Sequence, residues 1–242
     1  MRLNKFLAQC GIGARRKCDE LIFNGKVEVN GKIIKEPWFN INTETDIIKV
    51  NNKPVTIESK IYIALNKPAN VLCTLKDDFN RKIITDLLKG IKARVYPVGR
   101  LDYDVKGIIL LTNDGELANR LIHPKYKVSK TYIVKVKGKV STESLKKLEK
   151  GVILDDGKKT LPAKTKLIKI SNYYSIVELE IKEGRKRQVK RMFQCINHPV
   201  IELKRIKFAT ITLNGLKEGE WRYLNNREVK RLYEITNAYN IN

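Results

Sequence analysis

The sequence predicts an α+β protein with a small N-terminal domain and a larger domain built on a mainly antiparallel mixed sheet flanked by helices. First, a doubly wound parallel sheet requires strands and helices that alternate regularly. The short apolar strands and amphipathic helices beyond residue 59 do not alternate in this way. Second, 242 residues suit one or two domains, and a polar stretch at residues 58–60 offers a junction. We therefore expect domains at residues 1–58 and 59–242.

Apolar spacing in the first part of the chain predicts two helices followed by short strands. Residues 3–10 and 14–23 carry the helical periodicity, and a glycine follows each segment. Alternating valines then lead into Asn30-Gly31, a type I′ turn signal, which predicts a hairpin over residues 27–33. Two more short strands are expected within residues 47–57.

Basic side chains gather at the start of the second helix, where Arg15, Arg16 and Lys17 are consecutive. A cationic run at a helix N-terminus opposes the helix dipole, so it is either a solvated surface or a phosphate contact. The module resembles the alpha-L RNA-binding motif, named for a small-subunit ribosomal protein, over residues 1–48. The matching segments are RLNKFL at residues 2–7, GARR at 13–16 and GKVEVNG at 25–31. This resemblance implies recognition of structured RNA, with expected contacts from Arg2, Lys5, Arg15, Arg16 and Lys17.

The larger domain is expected to mix strands and helices before a C-terminal segment of ten residues without fixed structure. Its predicted strands are residues 62–65, 95–98, 107–111, 130–138, 174–181, 199–206 and 210–213. Its predicted helices are residues 84–90, 116–122, 142–151 and 187–196.

The charge of the chain indicates a polyanionic partner. It contains 49 Lys and Arg against 26 Asp and Glu, a formal net charge of +23. Residues 1–58 hold ten basic and seven acidic side chains, a net charge of +3, which leaves +20 for residues 59–242. This balance favours nucleic acid or an anionic membrane surface over a neutral small substrate. The larger domain should hold much of the binding surface.

Other classes of protein are disfavoured. No apolar run approaches the roughly 18 residues of a transmembrane helix, and the N-terminus lacks the apolar core of a signal peptide. The four cysteines form no C-x-x-C pair, and the two histidines lie far apart. We therefore expect reduced thiols in a cytoplasmic protein and no metal site. No heptad pattern stands out, so we expect a monomer.

Two aspartates lie in a turn between an apolar strand that enters and another that leaves. The segment Gly-Arg-Leu-Asp at residues 99–102 is followed by Tyr103 and Asp104. Loops held between rigid elements often present reactive groups, although acids near a turn are usually turn formers. A carboxylate pair for glycoside chemistry is an alternative, but residues two apart on an extended chain point to opposite faces.

Two other features suit nucleic acid. Five of the eight residues from Gly184 to Arg191 are cationic. Like charges at this density are mutually destabilising, so a polyanion accounts for them better than solvent does. Tyr132, at the start of a strand, is either a packing residue or a flat ring on which a nucleobase stacks.

Together these features resemble the RsuA/RluB family of ribosomal RNA pseudouridine synthases, and most of all its large-subunit branch. The matching blocks are Asn66-Lys67-Pro68 with Thr74 and Asp78, Gly99-Arg100-Leu101-Asp102 through Thr112-Asn113-Asp114-Gly115, Lys130-x-Tyr132, and Glu183-Gly184-Arg185 with Arg187-Gln188-Val189-Lys190-Arg191-Met192. The resemblance implies isomerisation of uridine to pseudouridine in ribosomal RNA, free or within a pre-ribosomal particle. It implies no cofactor.

The resemblance also implies roles for individual residues. Asp102 occupies the position of the family's nucleophile, and Tyr132 that of the ring that packs on the target base. Lys190 occupies the position of a cation that pairs with the aspartate. A close cation keeps a carboxylate ionised. Further RNA-contacting or organising side chains are expected at Arg100, Arg185, Arg187 and Arg191.

Three positions depart from the family pattern. Asn70 replaces a glycine, but asparagine tolerates a left-handed conformation. Val105 replaces a threonine and loses a hydroxyl. Lys190 replaces an arginine and offers a point charge instead of a bidentate fork. Two other functions stay open: a non-catalytic RNA-binding factor of ribosome assembly, and a hydrolase that uses Asp102 and Asp104.

Overall fold

The computed structural model describes residues 1–237, and the chain forms two compact units. One unit comprises residues 1–61 together with residues 90–95, and the other comprises residues 62–89 and the chain from residue 96 onward. Within the described residues, every helix is too short or too polar to cross a membrane.

The first unit packs two helices with a small antiparallel sheet. Its elements are α1 (Leu3–Gln9), α2 (Arg15–Phe23), β1 (Val27–Val29), β2 (Lys32–Ile33), β3 (Ile48–Val50) and β4 (Lys53–Pro54), with sheet order β2-β1-β3-β4. Asn30 and Gly31 both have positive φ, as the predicted type I′ turn requires. The residues that set the helical spacing, Leu3, Phe6, Leu7 and Cys10, are all buried.

The second unit holds the remaining elements around one large sheet. They are β5 (Tyr62–Lys67), β6 (Tyr96–Pro97), β7 (Lys106–Thr112), α3 (Gly115–Ile122), β8 (Lys130–Lys137), α4 (Thr142–Lys150), β9 (Lys164–Ile170), β10 (Tyr174–Ile181), α5 (Gln188–Cys195), β11 (Val200–Phe208), β12 (Ile211–Thr212), β13 (Trp221–Tyr223) and α6 (Asn226–Asn237). The main path of the sheet is β13-β5-β7-β11-β8-β10-β9, with β6 beside β7 and β12 beside β11.

The order of the strands brings distant parts of the chain together. β11 runs parallel to β7 and antiparallel to β8, and the other strand pairs within the described residues are antiparallel. The predicted mainly antiparallel mixed sheet is therefore confirmed. β11 lies between β7, which leaves the aspartate turn, and β8, which carries Tyr132.

Some predicted elements were wrong or missing. The helix expected over residues 84–90 is a short 3-10 turn at Ile84–Leu87. β9, β13 and α6 were not predicted. Because α6 continues to Asn237, the expectation that the last ten residues lack structure was wrong for residues 233–237. Residues 238–242 lie outside the described part of the chain.

Candidate active site

Asp102 lies in a tight turn that ends where β7 begins. The carbonyl oxygen of Asp102 accepts a hydrogen bond from the amide of Val105 at 3.1 Å. Val105 is buried and holds the end of the turn in the core, while Asp102 is half-buried and partly accessible to solvent. Within residues 1–237 the Asp102 carboxylate has no hydrogen bond or ion pair. It is therefore free to meet a substrate.

A buried lysine anchors this turn. Lys67 is fully buried at the end of β5, and its Nζ donates to the carbonyl oxygens of Pro68, Val71 and Tyr103 at 2.8, 2.9 and 3.3 Å. The amide of Asn70 also donates to the Tyr103 carbonyl at 2.8 Å. Asn70 has φ +61°, which confirms that asparagine accepts the left-handed conformation here. Burial lowers the pKa of Lys67, and the charges of Asp104 and Asp102 oppose that shift.

Lys190 pairs with a different aspartate from the one expected. Its Nζ lies 2.5 Å from Oδ2 of Asp104, and this hydrogen bond lowers the pKa of the Asp104 carboxyl. The expected pair between Lys190 and Asp102 is absent from this structure. The turn explains the change, because it places Asp104 on the exposed side facing α5. Asp102 and Asp104 thus lie in a turn, and not on an extended strand.

Tyr132 is held by strands on both sides. It lies on β8 directly opposite Leu179 of β10 and Arg205 of β11, and only 7% of its surface is exposed. Directly opposed residues of an antiparallel pair share one face of the sheet. The ring is therefore rigidly placed, with a small accessible edge.

Two buried cations accompany Tyr132. Lys130 Nζ donates to the Val128 carbonyl at 3.0 Å, and Arg205 Nε donates to the Ile108 carbonyl at 2.8 Å. Both cations lie against the ring of Phe208, with Arg205 Cζ 4.8 Å from its centroid. Burial, helped by the charge of Arg205, lowers the pKa of Lys130 to about 8. Sequence reasoning missed Arg205 as a site residue. Arg205 follows Leu203 by two positions on β11, so both side chains point to the same face of the sheet, and both are buried.

Basic side chains near the start of α5 line a surface cleft. Its lining residues are Asp155, Lys186, Arg187, Lys190, Arg191 and Gln194. Two of the expected RNA contacts are engaged within the protein. Arg191 pairs with Asp155 and Asp156, and Arg185 donates to the Lys158 and Lys159 carbonyls and pairs with Glu183. Arg187 is exposed and left-handed, with φ +51°.

The other expected RNA contacts are at the surface. Arg100 is exposed in the second unit. In the first unit, all five expected side chains are exposed: Arg2, Lys5, Arg15, Arg16 and Lys17. Arg15 Nη2 makes a long contact of 3.4 Å to Asn4 Oδ1. The start of α2 therefore presents a cationic surface.

The described part of the second unit holds a carboxylate without a partner in an anchored turn, a buried tyrosine ring on β8 and a cationic cleft at α5. Together these features fit the class of enzymes that act on RNA. Residues 1–237 contain no cluster of three or more acidic, histidine or cysteine side chains suited to a metal. The sequence comparisons identify the family within this class.

The sequence profile of the RNA pseudouridylate synthase family matches residues 61–195, and that of the S4 domain matches residues 1–48. Ribosomal large subunit pseudouridine synthase B of Bacillus subtilis (strain 168) is 50% identical over 233 residues, which cover 96% of this chain and 95% of that protein. An uncharacterized RNA pseudouridine synthase of Aquifex aeolicus (strain VF5) is 43% identical over 235 residues, covering 97% and 94%. A crystal structure of a pseudouridylate synthase superposes with a TM-score of 0.68 at 34% identity, covering 96% and 99%. The chain belongs to the RNA pseudouridylate synthase family and carries an S4 domain.

Proposed function

We propose that this enzyme isomerises uridine to pseudouridine in ribosomal RNA of the large subunit, with Asp102 as the nucleophile. The observation that carries the proposal is the unpaired, half-buried Asp102 carboxylate in a turn that Lys67 anchors. The Bacillus subtilis relative, which matches nearly the whole chain, is named for the large subunit. That name supports ribosomal RNA as the substrate here.

The reaction breaks the bond from ribose C1′ to uracil N1 and forms a bond from C1′ to uracil C5. The hydrogen on C5 leaves as a proton, so nothing is oxidised and no group is transferred to a second molecule. Asp102 serves this exchange by attacking the sugar, by attacking the base, or by assisting proton removal from the ribose. Each route needs an ionised carboxylate that the substrate can reach.

The target uridine must leave its stack to reach Asp102, which costs a few kcal/mol. Packing of the extruded base on Tyr132 offsets part of this cost. Phosphate contacts from the cationic cleft and from the first unit offset the rest. The fixed position of Tyr132 between β10 and β11 suits this role, because an ordered ring loses little freedom on binding.

Lys190 supplies the nearby cation in this proposal. Asp104 holds its ammonium group at the same turn that carries Asp102. Asp104 is exposed, so little free energy is lost when Lys190 leaves it and pairs with Asp102 or a substrate phosphate instead. The pairing also argues against Asp104 as the protonated acid of a hydrolase, because it lowers the pKa of that carboxyl.

The proposal includes the organisation of the protein. Residues 1–58 act as an RNA-binding domain, and residues 59–242 act as the catalytic domain. The enzyme works as a monomer in the cytoplasm, on free ribosomal RNA or on an assembly particle.

Large-subunit and small-subunit ribosomal RNA, each protein-free and as assembly particles, test the proposal. After incubation with the enzyme, the RNA is digested and its nucleosides are separated. Pseudouridine in the large-subunit RNA, with intact chains and no free uracil, is the expected result. Free base or cut chains would identify a hydrolase, and tight binding without any product would favour the assembly factor.

A further inference from the structure

We propose that Arg205 contacts the target uracil and stabilises the negative charge that develops on it as its bond to the ribose breaks. This inference rests on the proposed function and adds a residue to it. Arg205 Nη2 is buried, and within residues 1–237 it has no hydrogen-bond partner. A buried donor without a partner is costly and is rare in folded proteins.

The position of Arg205 connects the two halves of the site. It lies on β11 directly opposite Tyr132 of β8 on one side and Gly107 of β7 on the other. Gly107 is five residues beyond Asp102. The side chain therefore belongs to the strand that joins the aspartate turn to the tyrosine that receives the base.

The guanidinium is held in place by the protein but is not neutralised by it. Its Nε donates to the Ile108 carbonyl, and its Cζ lies 4.8 Å from the centroid of the Phe208 ring. No carboxylate of residues 1–237 forms an ion pair with Arg205 or with its neighbour Lys130. The charge of Glu183 acts on Lys130, but that carboxylate is itself paired with Arg185. A fixed donor in such an interior is strongest where negative charge develops during the reaction.

The chemistry of the reaction supplies that charge. When the bond between C1′ and N1 breaks, its electron pair stays with the uracil and spreads over N1 and the two carbonyl oxygens. A hydrogen bond from Arg205 Nη2 to one of these oxygens stabilises the detached base. When C5 then bonds to C1′, the electron pair returns to form that bond and the C5 proton leaves.

The test compares Arg205→Met, which removes the charge, with Arg205→Lys, which retains it. Single-turnover rates are measured on a short RNA that carries the target as uridine or as 5-fluorouridine, following loss of the starting nucleoside. Fluorine withdraws electrons and stabilises the same negative charge. Arg205→Met should slow the uridine reaction about 100-fold, with RNA affinity within about threefold of the wild type. The deficit on 5-fluorouridine should be at least about fivefold smaller, and Arg205→Lys should recover part of the rate.

Structural damage alone would slow both substrates equally, so equal deficits would overturn the inference. A loss below about threefold on uridine would overturn it as well. Absence of reaction by the wild-type enzyme on every RNA would instead overturn the proposed function, and this inference with it.

Discussion

Lys190 and Asp104 form an ion pair across 86 positions of sequence, with Nζ 2.5 Å from Oδ2. The pair joins α5 to the turn of the proposed nucleophile. The pair holds the Lys190 ammonium group at Asp104, two positions after Asp102, and leaves the Asp102 carboxylate without a partner among the described residues. In the proposed function the two aspartates of this turn therefore have different tasks: Asp104 holds the cation, and Asp102 meets the substrate.

This division of tasks predicts that substitutions of Asp104 and Lys190 have unequal effects on the rate. Asp104→Asn should lower the rate of isomerisation less than about fivefold, because Asp104 is the exposed partner of the ion pair and such pairs contribute less than about 1 kcal/mol. Lys190→Met should lower the rate by more than about tenfold, since it removes the cation itself. Single-turnover rates at one salt concentration measure both. A larger loss from Asp104→Asn than from Lys190→Met would contradict the assignment.

The anchor of the turn makes a second prediction. Lys67→Met removes the lysine hydrogen bond from three carbonyl groups and leaves those of Pro68 and Val71 without it, while the Tyr103 carbonyl keeps the Asn70 amide. The free energy of unfolding should therefore fall by about 1–3 kcal/mol. The rate should fall more than the affinity for RNA, because the turn that carries Asp102 loses its support. Lys82→Met, the same change at an exposed position, is the matched control. Equal unfolding midpoints for the two variants would refute the anchoring role.

The contact between β7 and β11 makes a third prediction. A Cβ on Gly107 would lie 2.1 Å from the Arg205 carbonyl oxygen, and φ there is +111°. Gly107→Ala should therefore destabilise the protein by about 3 kcal/mol or more. Gly157→Ala meets no atom within 4 Å and has φ +74°, so it should cost only about 1–2 kcal/mol for its left-handed backbone. Thermal unfolding of both variants decides this, and similar melting temperatures would be evidence against close packing at Gly107.

The buried amine of Lys130 makes a fourth prediction, which concerns pH. Its folded pKa of about 8 lies below the unfolded value, so between pH 8 and about 10.4 the unfolded chain binds the extra proton. The free energy of unfolding of the wild type therefore rises with pH over this range. Lys130→Met removes the buried charge, which gains about 3 kcal/mol at pH 7, and it leaves the Val128 carbonyl without its donor, which costs about 1–3 kcal/mol. The variant should therefore be at least as stable as the wild type at pH 7.

The advantage of Lys130→Met should shrink as the pH rises from 8 to 10. Urea unfolding at pH 7 and pH 9.5 measures it, and Lys137→Met, at an exposed position of the same strand, is the control. An advantage that does not change with pH would show that Lys130 is not the titrating group.

Regular burial made much of the fold predictable from the sequence. Leu3, Phe6 and Leu7 repeat at helical spacing because one face of α1 is buried. β9 was missed because none of its seven residues is buried: five are exposed and two are half-buried. α6 was missed because only Leu232 and Thr236 are buried along it, which leaves a thin apolar stripe.

The candidate site was predicted less completely. Asp102, Tyr132 and Lys190 come from family blocks, and their roles stay predictions. The partner of Lys190 depends on which side of a four-residue turn each aspartate occupies, and spacing alone does not encode that. Arg205 was missed because a single arginine in a strand is ordinarily exposed. Its importance comes from its position between β7 and β8, which only the order of the sheet reveals.

Tritium release from RNA labelled at uracil C5 tests the central claim most directly, with the wild type and Asp102→Asn assayed side by side on large-subunit RNA. C5 loses its hydrogen only when the new bond to ribose forms there. We expect release by the wild type and none by Asp102→Asn, with RNA affinity unchanged. Full release by Asp102→Asn would contradict the role of Asp102, and no release by the wild type on any ribosomal RNA or assembly particle would contradict the proposed activity.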